Sequence, residues 1–437
     1  MRPHLHHEIS QLQRYACLCC GRGCRTFLVP VRPEERAAIE KLEDWRAKSG
    51  VRNLFIKTRF AGPSGYGLMK WHDGRCIFLD AENLCIIHKL HGFEAKPLAC
   101  RLFPFILTPF GRELRVGLRF DCPGVCGNQG KELAAYLGEL NQLARQLVPE
   151  GAASAPIPKV TPRFSLTAEQ FEIINEALLA IVSSNAVPLR QRLHWLERFL
   201  DQVGRVKWPA VPTDEFQDFV NLIRGGTLAE LQAHPGGGVI TRGRDAAPDP
   251  RARKLLGQYF YILTQPTTFI TNQKVPLVRR FRQRFESLRA MRQLARIAGP
   301  LPRIQPDWPE LDLTELENFP GLWPAEVDEL VGRWLACRFA GLNYCGPNFY
   351  GYSLLEGARA LLLGTVTLGW AMRIYARAAG RVQLQFADAQ QALLIIDGNL
   401  GTAQALAFGP ARWRLEYVSD ALASFIDQYC GQASALV

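Results

Sequence analysis

The pattern of apolar and polar positions divides the chain into two parts with different predicted structures. In the first part, short apolar runs alternate with turn residues. The apolar run Thr26–Val31 predicts a strand, and Pro33 followed by two glutamates is typical of the first turn of a helix, which we expect to reach about Lys48. A strand followed by a helix is therefore expected near the N-terminus.

Two β-hairpins are predicted farther along this part. Leu68–Trp71 and Cys76–Leu79 lie on either side of an Asp-Gly pair, which is a strong short-range signal for a tight hairpin turn. Phe103–Pro109 and Glu113–Phe120 form a second pair of apolar runs around Gly111. Such hairpins would bring residues at their ends together from distant parts of the sequence.

From about residue 131 the apolar residues recur at three- and four-residue steps, which predicts helices. The predicted helices are Lys131–Leu147, Thr167–Ser183, Val187–Gln202, Thr213–Leu231, Leu255–Thr264 and Val275–Ala298. The longest apolar stretch, Ala360–Met372, is shorter than the roughly 20 residues that a bilayer-spanning helix needs. We therefore expect a buried helix there and no transmembrane segment.

Proline and glycine mark the predicted boundaries between these parts. The proline-rich residues 148–162 are typical of a linker, so we predict a first domain at 1–147 and a second at 163–437. Residues 234–250 predict a flexible loop, and residues 300–309 predict an irregular connection. The predicted fold class is α+β, with a small cysteine-rich metal-binding domain followed by a larger, mainly α-helical domain.

The cysteine content changes this picture most. Nine of the twelve cysteines lie between residues 17 and 126 of the 437-residue chain. The N-terminal residues contain three histidines and no apolar run of the kind that a secretory signal requires, so we expect a cytoplasmic protein whose cysteines stay reduced. Crowded thiols in a reducing compartment favour metal binding over a disulfide framework.

The spacing of the first cysteines suits a metal site. Cys17, Cys20 and Cys24 form a C-x2-C-x3-C pattern, in which a two-residue turn places two thiolates on one cation and Gly21 lets backbone N–H groups point toward sulfur. Soft sulfur ligands favour zinc, copper(I) or iron–sulfur clusters over calcium and magnesium. The reverse order C-x3-C-x2-C, typical of radical S-adenosylmethionine enzymes, does not occur in the sequence.

Two further segments carry a resemblance to a known family. The segment Cys76–Cys85 begins C-x-F-L-D, and Lys96–Phe105 reads K-P-x-x-C-R-x-F-P-F. Together with the N-terminal cysteines, they resemble the YkgJ-type cysteine-cluster family, described as a zinc- or iron-chelating domain, which includes the flagellin lysine N-methylases. The resemblance covers roughly residues 14–126.

The resemblance implies a set of metal ligands. Taken residue by residue and with the C-P-G element that closes the domain, the matching positions are Cys17, Cys20, Cys24, Cys76, Cys85, Cys100, Cys122 and Cys126. This chain has Gly23 and Cys24 where the family pattern has a cysteine pair, and the extra Cys19 could supply the missing thiol. His88 is a further candidate ligand, so the roles of Cys19 and His88 are open.

Other residues near these cysteines have simpler predicted roles. Arg25, Lys96 and Arg101 adjoin the candidate ligands, where positive charge would offset several thiolates. Asp80 is expected to cap the turn before Cys85 through its side-chain oxygen. The cysteines of the helical part are expected to be buried core thiols, and these are Cys337, Cys345 and Cys430.

Three hypotheses for function follow. Eight thiols exceed what one tetrahedral zinc takes, and we favour an iron–sulfur cluster (4Fe-4S) over zinc because the resemblance to the methylases implies a cluster. The same resemblance suggests an S-adenosylmethionine-dependent protein lysine N-methyltransferase, although the sequence has no glycine-rich cofactor loop and no assignable catalytic residue. The third hypothesis is a zinc-stapled interaction module with a basic helix. A protein partner or substrate is expected at the helical domain.

The formal net charge of +11 indicates a modest preference for anionic partners. Residues 1–150 contain 22 lysines and arginines against 15 acidic residues, so much of the excess accompanies the cysteines, and nucleic-acid binding is not favoured. The strongest basic feature elsewhere is Lys274–Arg296, with seven arginines. Its helical spacing predicts that the arginines face water while one apolar face packs, and this face comprises Val278, Phe281, Phe285, Leu288 and Ala295.

Overall fold

Short strands and short helices alternate through the first 148 residues, and helices make up most of the remainder. The computed structural model describes residues 1–42, 53–57, 65–68, 74–148, 151–208, 212–233, 249–266, 277–319 and 322–431. The strands are β1 Arg2–His4, β2 Arg14–Tyr15, β3 Phe55–Lys57, β4 Tyr66–Leu68, β5 Phe105–Phe110, β6 Glu113–Leu118 and β7 Lys131–Glu132. The α-helices are α1 His7–Leu12, α2 Arg22–Thr26, α3 Pro33–Glu40, α4 Ile86–His91, α5 Leu98–Leu102, α6 Pro123–Cys126, α7 Leu137–Leu147, α8 Ala168–Ser183, α9 Leu189–Arg205, α10 Thr213–Ala233, α11 Pro250–Leu263, α12 Leu277–Arg296, α13 Leu313–Glu317, α14 Ala325–Ala340, α15 Leu354–Ala378, α16 Phe386–Asn399, α17 Gly409–Ser419 and α18 Leu422–Tyr429.

The β5–β6 hairpin is the centre of the main sheet. The two strands pair antiparallel, from Phe105 opposite Leu118 to Phe110 opposite Glu113, which confirms the second predicted hairpin. β1 adds to β6 in parallel, so the strand order is β1-β6-β5. Elsewhere in the described residues, β2 pairs with β7 and β3 pairs with β4, both antiparallel.

The first predicted hairpin is wrong in the part that the structure describes. Leu68 lies in β4, whose partner is β3, a strand that the sequence did not predict. Residues 76–79 form a turn rather than a strand, because the Leu79 N–H donates to the Cys76 carbonyl at 3.0 Å. Residues 69–73, which include most of the predicted hairpin turn, lie outside the described residues.

The strand and helix predicted near the N-terminus are confirmed in part. Thr26 ends α2, so the first residue of the predicted strand is helical, but Phe27 is extended, and backbone hydrogen bonds of Val29 and Val31 hold the segment beside β4. α3 begins at Pro33 as predicted and is described to its end at residue 40. The predicted continuation to Lys48 is wrong at residues 41 and 42, which are described and not helical, and residues 43–48 lie outside the described residues.

The helices predicted after residue 131 are confirmed, with ends that differ by up to six residues, but residues 131–132, predicted to begin a helix, form β7 instead. α8 begins after Thr167, whose hydroxyl accepts from the Gln170 N–H while the Gln170 side chain accepts from the Thr167 N–H. α15 contains the stretch Ala360–Met372, fully buried as expected. None of the helices in the described part of the chain is long and apolar enough to cross a membrane. Residues 300–309 are irregular as predicted, whereas the loop predicted at 234–250 lies almost wholly outside the described residues.

The packing face predicted for α12 is wrong. Three of the residues predicted to pack are exposed instead, and these are Phe281 (58%), Phe285 (71%) and Leu288 (50%). The side chain of Val278 lies outside the described residues. The helix packs instead through Ala290 and Leu294, which are buried. At Gly257 of α11 a Cβ would lie 3.0 Å from the Leu294 backbone, so two helix backbones meet where a side chain is missing. This close approach selects the face opposite the predicted one.

The described residues form two apolar cores. The small core is built from side chains between residues 29 and 87. The large core draws on both sides of residue 147, from Ile9 and the β5–β6 hairpin to α18. The predicted linker also packs, since Val160 is fully buried and its carbonyl accepts from the Leu355 N–H at 3.1 Å. The limits of the two domains at residues 147 and 163 stay a prediction.

Candidate metal centre

Four cysteines border the small core, and we term them the inner thiol group. The members are Cys24, Cys76, Cys85 and Cys100. The Cys76 N–H donates to the Cys24 carbonyl at 2.8 Å, and Leu79 forms a β-bridge with Cys85, so the backbone joins three of the four segments. The fourth thiol belongs to α5, which is tied to α3 because the Leu98 N–H donates to Glu35 Oε1 at 2.8 Å.

Internal hydrogen bonds hold the loop 76–85 that carries two of these cysteines. The Ile86 N–H donates to the Phe78 carbonyl at 2.8 Å. Asp80 Oδ1 accepts from the Leu84 N–H at 2.7 Å, which confirms the predicted capping role, and this hydrogen bond lowers the pKa of Asp80. The loop therefore has a defined shape of its own before α4 begins.

The N-terminal cysteine segment turns against this loop. Gly21 has a φ of +65°, and a Cβ there would lie 3.1 Å from the Asn83 side chain, so a glycine is required for this close approach. Arg25 Nη2 donates to Asn83 Oδ1 at 2.5 Å. These contacts bring Cys24 to the loop that begins with Cys76.

Four other cysteines form what we term the outer thiol group. The members are Cys17, Cys19 and Cys20, which are exposed, and Cys122, which is buried. α6 approaches the N-terminal segment closely, since a Cβ on Gly124 would lie 2.3 Å from the Ala16 carbonyl oxygen. This approach brings Cys122, which precedes α6, near the N-terminal cysteine segment, where the charge of Cys20 acts on it.

The electrostatic effects on the thiols follow the same division. Burial raises the pKa of Cys100 well above its usual value, and the charges of the other three inner thiols raise it further. Burial raises the pKa of Cys122 to about 11, and the charge of Cys20 adds to this effect. The charge of Cys17 is the main reason that the pKa of Cys19 is raised. Thiols within each group are thus close enough for their charges to interact.

Lys96 lies near both groups. Its ammonium lowers the pKa of Cys100 in the inner group and of Cys19 in the outer group. The same ammonium lies 5.1 Å from the centre of the Phe93 ring. A cation in this position would offset the negative charge of several thiolates, as the sequence predicted for Lys96.

Three residues predicted at or beside the site have surroundings that differ from those of the two groups, although the charge of Cys122 contributes to raising the pKa of Cys126. Cys126 is fully buried in the large core, where its thiol donates to the Phe120 carbonyl at 3.0 Å. His88 is exposed on α4. Arg101 is nearly buried and forms an ion pair with Glu94. The cysteines predicted to be core thiols are buried as expected, and these are Cys337, Cys345 and Cys430.

A buried network that the sequence did not predict supports the backbone before Cys122. The Asp397 carboxylate accepts from the N–H groups of residues 120 and 121 at 2.7 and 3.2 Å. It also accepts from Trp334 Nε1 at 2.6 Å and forms an ion pair with Arg338. We term this the Asp397 network. No local pattern in the sequence could indicate it, because its carboxylate lies 277 residues from the Phe120 N–H.

The thiols of each group are neighbours, but they do not enclose a single ion. Within the described ranges, no three histidine, cysteine, aspartate or glutamate side chains are placed to hold one metal ion. No disulfide bond joins the cysteines of the described residues. The chemistry of the donor set nevertheless fits a thiophilic metal or an iron–sulfur cluster, because each group supplies four soft sulfur ligands.

Thiols that converge from separate loops onto a small α+β core define the class of this domain as a cysteine cluster. Residues 16–126 match the model of the CxxCxxCC family, whose description is "Putative zinc- or iron-chelating domain". The match covers about a quarter of the chain and confirms the resemblance seen around Cys76 and Cys100. Comparison with curated proteins and with solved structures gave no match.

Proposed function

We propose that the cysteine-rich domain holds an iron–sulfur cluster on cysteine thiolates. The observation that carries the proposal is the inner thiol group, in which separate segments deliver four thiols to one edge of the small core. The family match supports chelation of zinc or iron by this part of the chain. The proposal adds the kind of centre and its ligands, in a reducing, cytoplasmic environment.

The preference for a cluster over a single ion rests on the resemblance to the methylases and on the number of thiols. A tetrahedral zinc site with Zn–S bonds of about 2.3 Å needs its sulfurs about 3.8 Å apart. In a four-iron cluster each thiolate binds a different iron, so the sulfurs lie farther apart. The inner thiols interact through their charges, yet they are not placed around one ion. This arrangement excludes neither kind of centre, and the choice of a four-iron cluster comes from the resemblance to the methylases.

The outer thiol group supplies a second candidate centre in the same proposal. Cys17, Cys20 and Cys122 were expected as ligands, and Cys19 is the fourth thiol of the group. Cys126 is left out of the proposed ligands because its thiol is hydrogen-bonded inside the large core. His88 is left out because it is exposed on the surface of α4.

The methyltransferase hypothesis has only the family resemblance behind it. A cavity of about 250 Å³ lies between the β5 end and the loop after α14, and Thr108, Pro156 and Asn348 are among the residues that line it. Its lining contains no acidic or basic side chain that could hold the charged groups of S-adenosylmethionine. Catalytic activity is therefore not part of the proposal.

The test is metal analysis of the full chain purified without oxygen, together with a visible absorption spectrum. We expect iron and acid-labile sulfide in equal amounts, about four of each per cluster, with broad visible absorption. Cys100→Ser should remove the inner centre and lower the iron content by about half if both centres are filled. The matched control is Cys430→Ser in the helical part, which should retain the full iron content.

Three outcomes would count against the proposal. Zinc without iron or sulfide would replace the cluster by zinc sites and favour the interaction-module hypothesis. A chain that stays free of metal after anaerobic incubation with iron and sulfide or with zinc, with all its thiols titratable, would overturn metal binding itself. Equal loss of iron from Cys100→Ser and Cys430→Ser would overturn the assignment of ligands to the inner thiol group.

A further inference from the structure

The exposed face of α12 carries large apolar side chains. Phe281, Phe285 and Leu288 follow one another at steps of four and three residues, so they form one line along the helix. Each residue turns the helix by about 100°, which places this line opposite the buried Ala290 and Leu294. We term it the Phe281 stripe. It points into solvent because the opposite face of α12 packs on α11.

Arginines border the Phe281 stripe on both sides. Rotation by about 100° per residue places Arg284 on one side of it and Arg289 and Arg296 on the other, and all three are exposed. The only acidic residue in the sequence from 277 to 296 is Glu286, which is paired with Arg282 at 2.9 Å. The border of the stripe is therefore strongly positive.

We propose that the Phe281 stripe docks onto an anionic lipid surface, with α12 lying in the plane of that surface. An apolar line between flanking cations is typical of helices that bind at the membrane interface. The phenylalanines and the leucine would enter the boundary of the acyl chains, while the arginine side chains extend to the lipid phosphates.

The combination of features selects this partner. Charge complementarity requires a negatively charged partner for the arginines. A nucleic-acid backbone would leave the three apolar side chains in water, whereas a protein partner would need a groove shaped to a single exposed helix. A lipid surface meets both requirements without a preformed groove.

Vesicle flotation of the full chain tests the proposal. We expect binding to vesicles of phosphatidylcholine mixed with phosphatidylglycerol, weaker binding as salt is added, and little binding to phosphatidylcholine alone. The double substitution Phe281→Ser and Phe285→Ser should weaken the affinity at least about tenfold, because two buried aromatic side chains are lost. The matched control is Phe408→Ser, at a phenylalanine that is 65% exposed elsewhere on the molecule and should not affect binding.

A second pair of variants tests the charge. The double substitution Arg284→Gln and Arg289→Gln should lower the affinity about 25-fold, since each arginine near an anionic surface contributes about fivefold. The control pair Arg205→Gln and Arg303→Gln removes two arginines whose side chains are each 69% exposed, and it should leave binding unchanged. All four positions are on the surface, so far-ultraviolet circular dichroism should show unchanged folding.

The proposal is independent of the metal content of the cysteine-rich domain. Equal binding to neutral and anionic vesicles would overturn it, and so would the absence of binding to either at low salt. An equal effect of the Phe408→Ser control would also overturn it. Binding to duplex DNA that is as tight as binding to anionic vesicles, and that survives the phenylalanine substitutions, would reassign the arginines to nucleic acid.

Discussion

Replacing Asp397 by alanine should destabilise the protein more than any loss of a surface ion pair. The substitution removes the only carboxylate of the Asp397 network and leaves the Arg338 guanidinium, 4% exposed as a residue, without its ion pair. Removing one partner of a buried pair costs about 3–5 kcal/mol. The Trp334 N–H and the N–H groups of residues 120 and 121 also lose their acceptor, at about 1 kcal/mol or more each when they remain buried. These costs overlap, so we expect a loss of at least about 4 kcal/mol.

Urea unfolding followed by tryptophan fluorescence measures this loss, because Trp334 is part of the network. Asp397→Asn keeps an acceptor oxygen and should cost less than Asp397→Ala. The control is Glu310→Ala, which breaks the exposed pair with Arg303 and should cost no more than about 1 kcal/mol. A loss for Asp397→Ala that is as small as that of the control would refute the reasoning.

Three further predictions concern other parts of the molecule. Cys126→Ala should retain the iron content of the unaltered chain, because its thiol faces the large core, and loss of half the iron would make it a ligand. Gly369→Ala should lower the free energy of unfolding by about 1–3 kcal/mol, since its Cβ would lie 2.1 Å from the Tyr429 carbonyl oxygen. Gly225→Ala, in the open part of α10, should instead raise the free energy of unfolding by about 0.5–1 kcal/mol. Equal effects of the two substitutions in thermal unfolding would contradict this prediction. Burial raises the pKa of Asp328 to about 6, so between about pH 4 and 6 the folded chain keeps a proton that the unfolded chain has released. The free energy of unfolding should therefore fall as the pH rises through this range. Urea titrations at several pH values should show a weaker pH dependence of stability for Asp328→Asn.

The sequence predicted those elements whose signals are local. The β5–β6 hairpin followed from two apolar runs around Gly111, and α8 followed from its spacing and from the cap at Thr167. The family was predicted for the same reason, since its motifs around Cys76 and Cys100 are short and contiguous. Local signals of this kind need no knowledge of tertiary contacts.

Features that depend on packing partners were not predicted. Phe281 faces outward because the opposite face of α12 approaches Gly257 closely. The spacing of apolar residues along α12 does not show which of its faces meets this glycine. The turn at residues 76–79 replaced a predicted strand because β4 pairs with β3 instead. The division of the thiols into two groups likewise depends on contacts such as that between Gly124 and Ala16.

The Asp397 network has a consequence for the order of events during biosynthesis. At about 5–20 residues per second, a ribosome adds Asp397 roughly 14–55 s after Phe120. For nearly all of that interval, once Cys126 has been added, the nascent chain contains all nine of its N-terminal thiols, while the backbone before Cys122 lacks its anchor. We therefore expect the outer thiol group to be loaded after translation ends, and the unfinished chain to be the form most sensitive to oxidants.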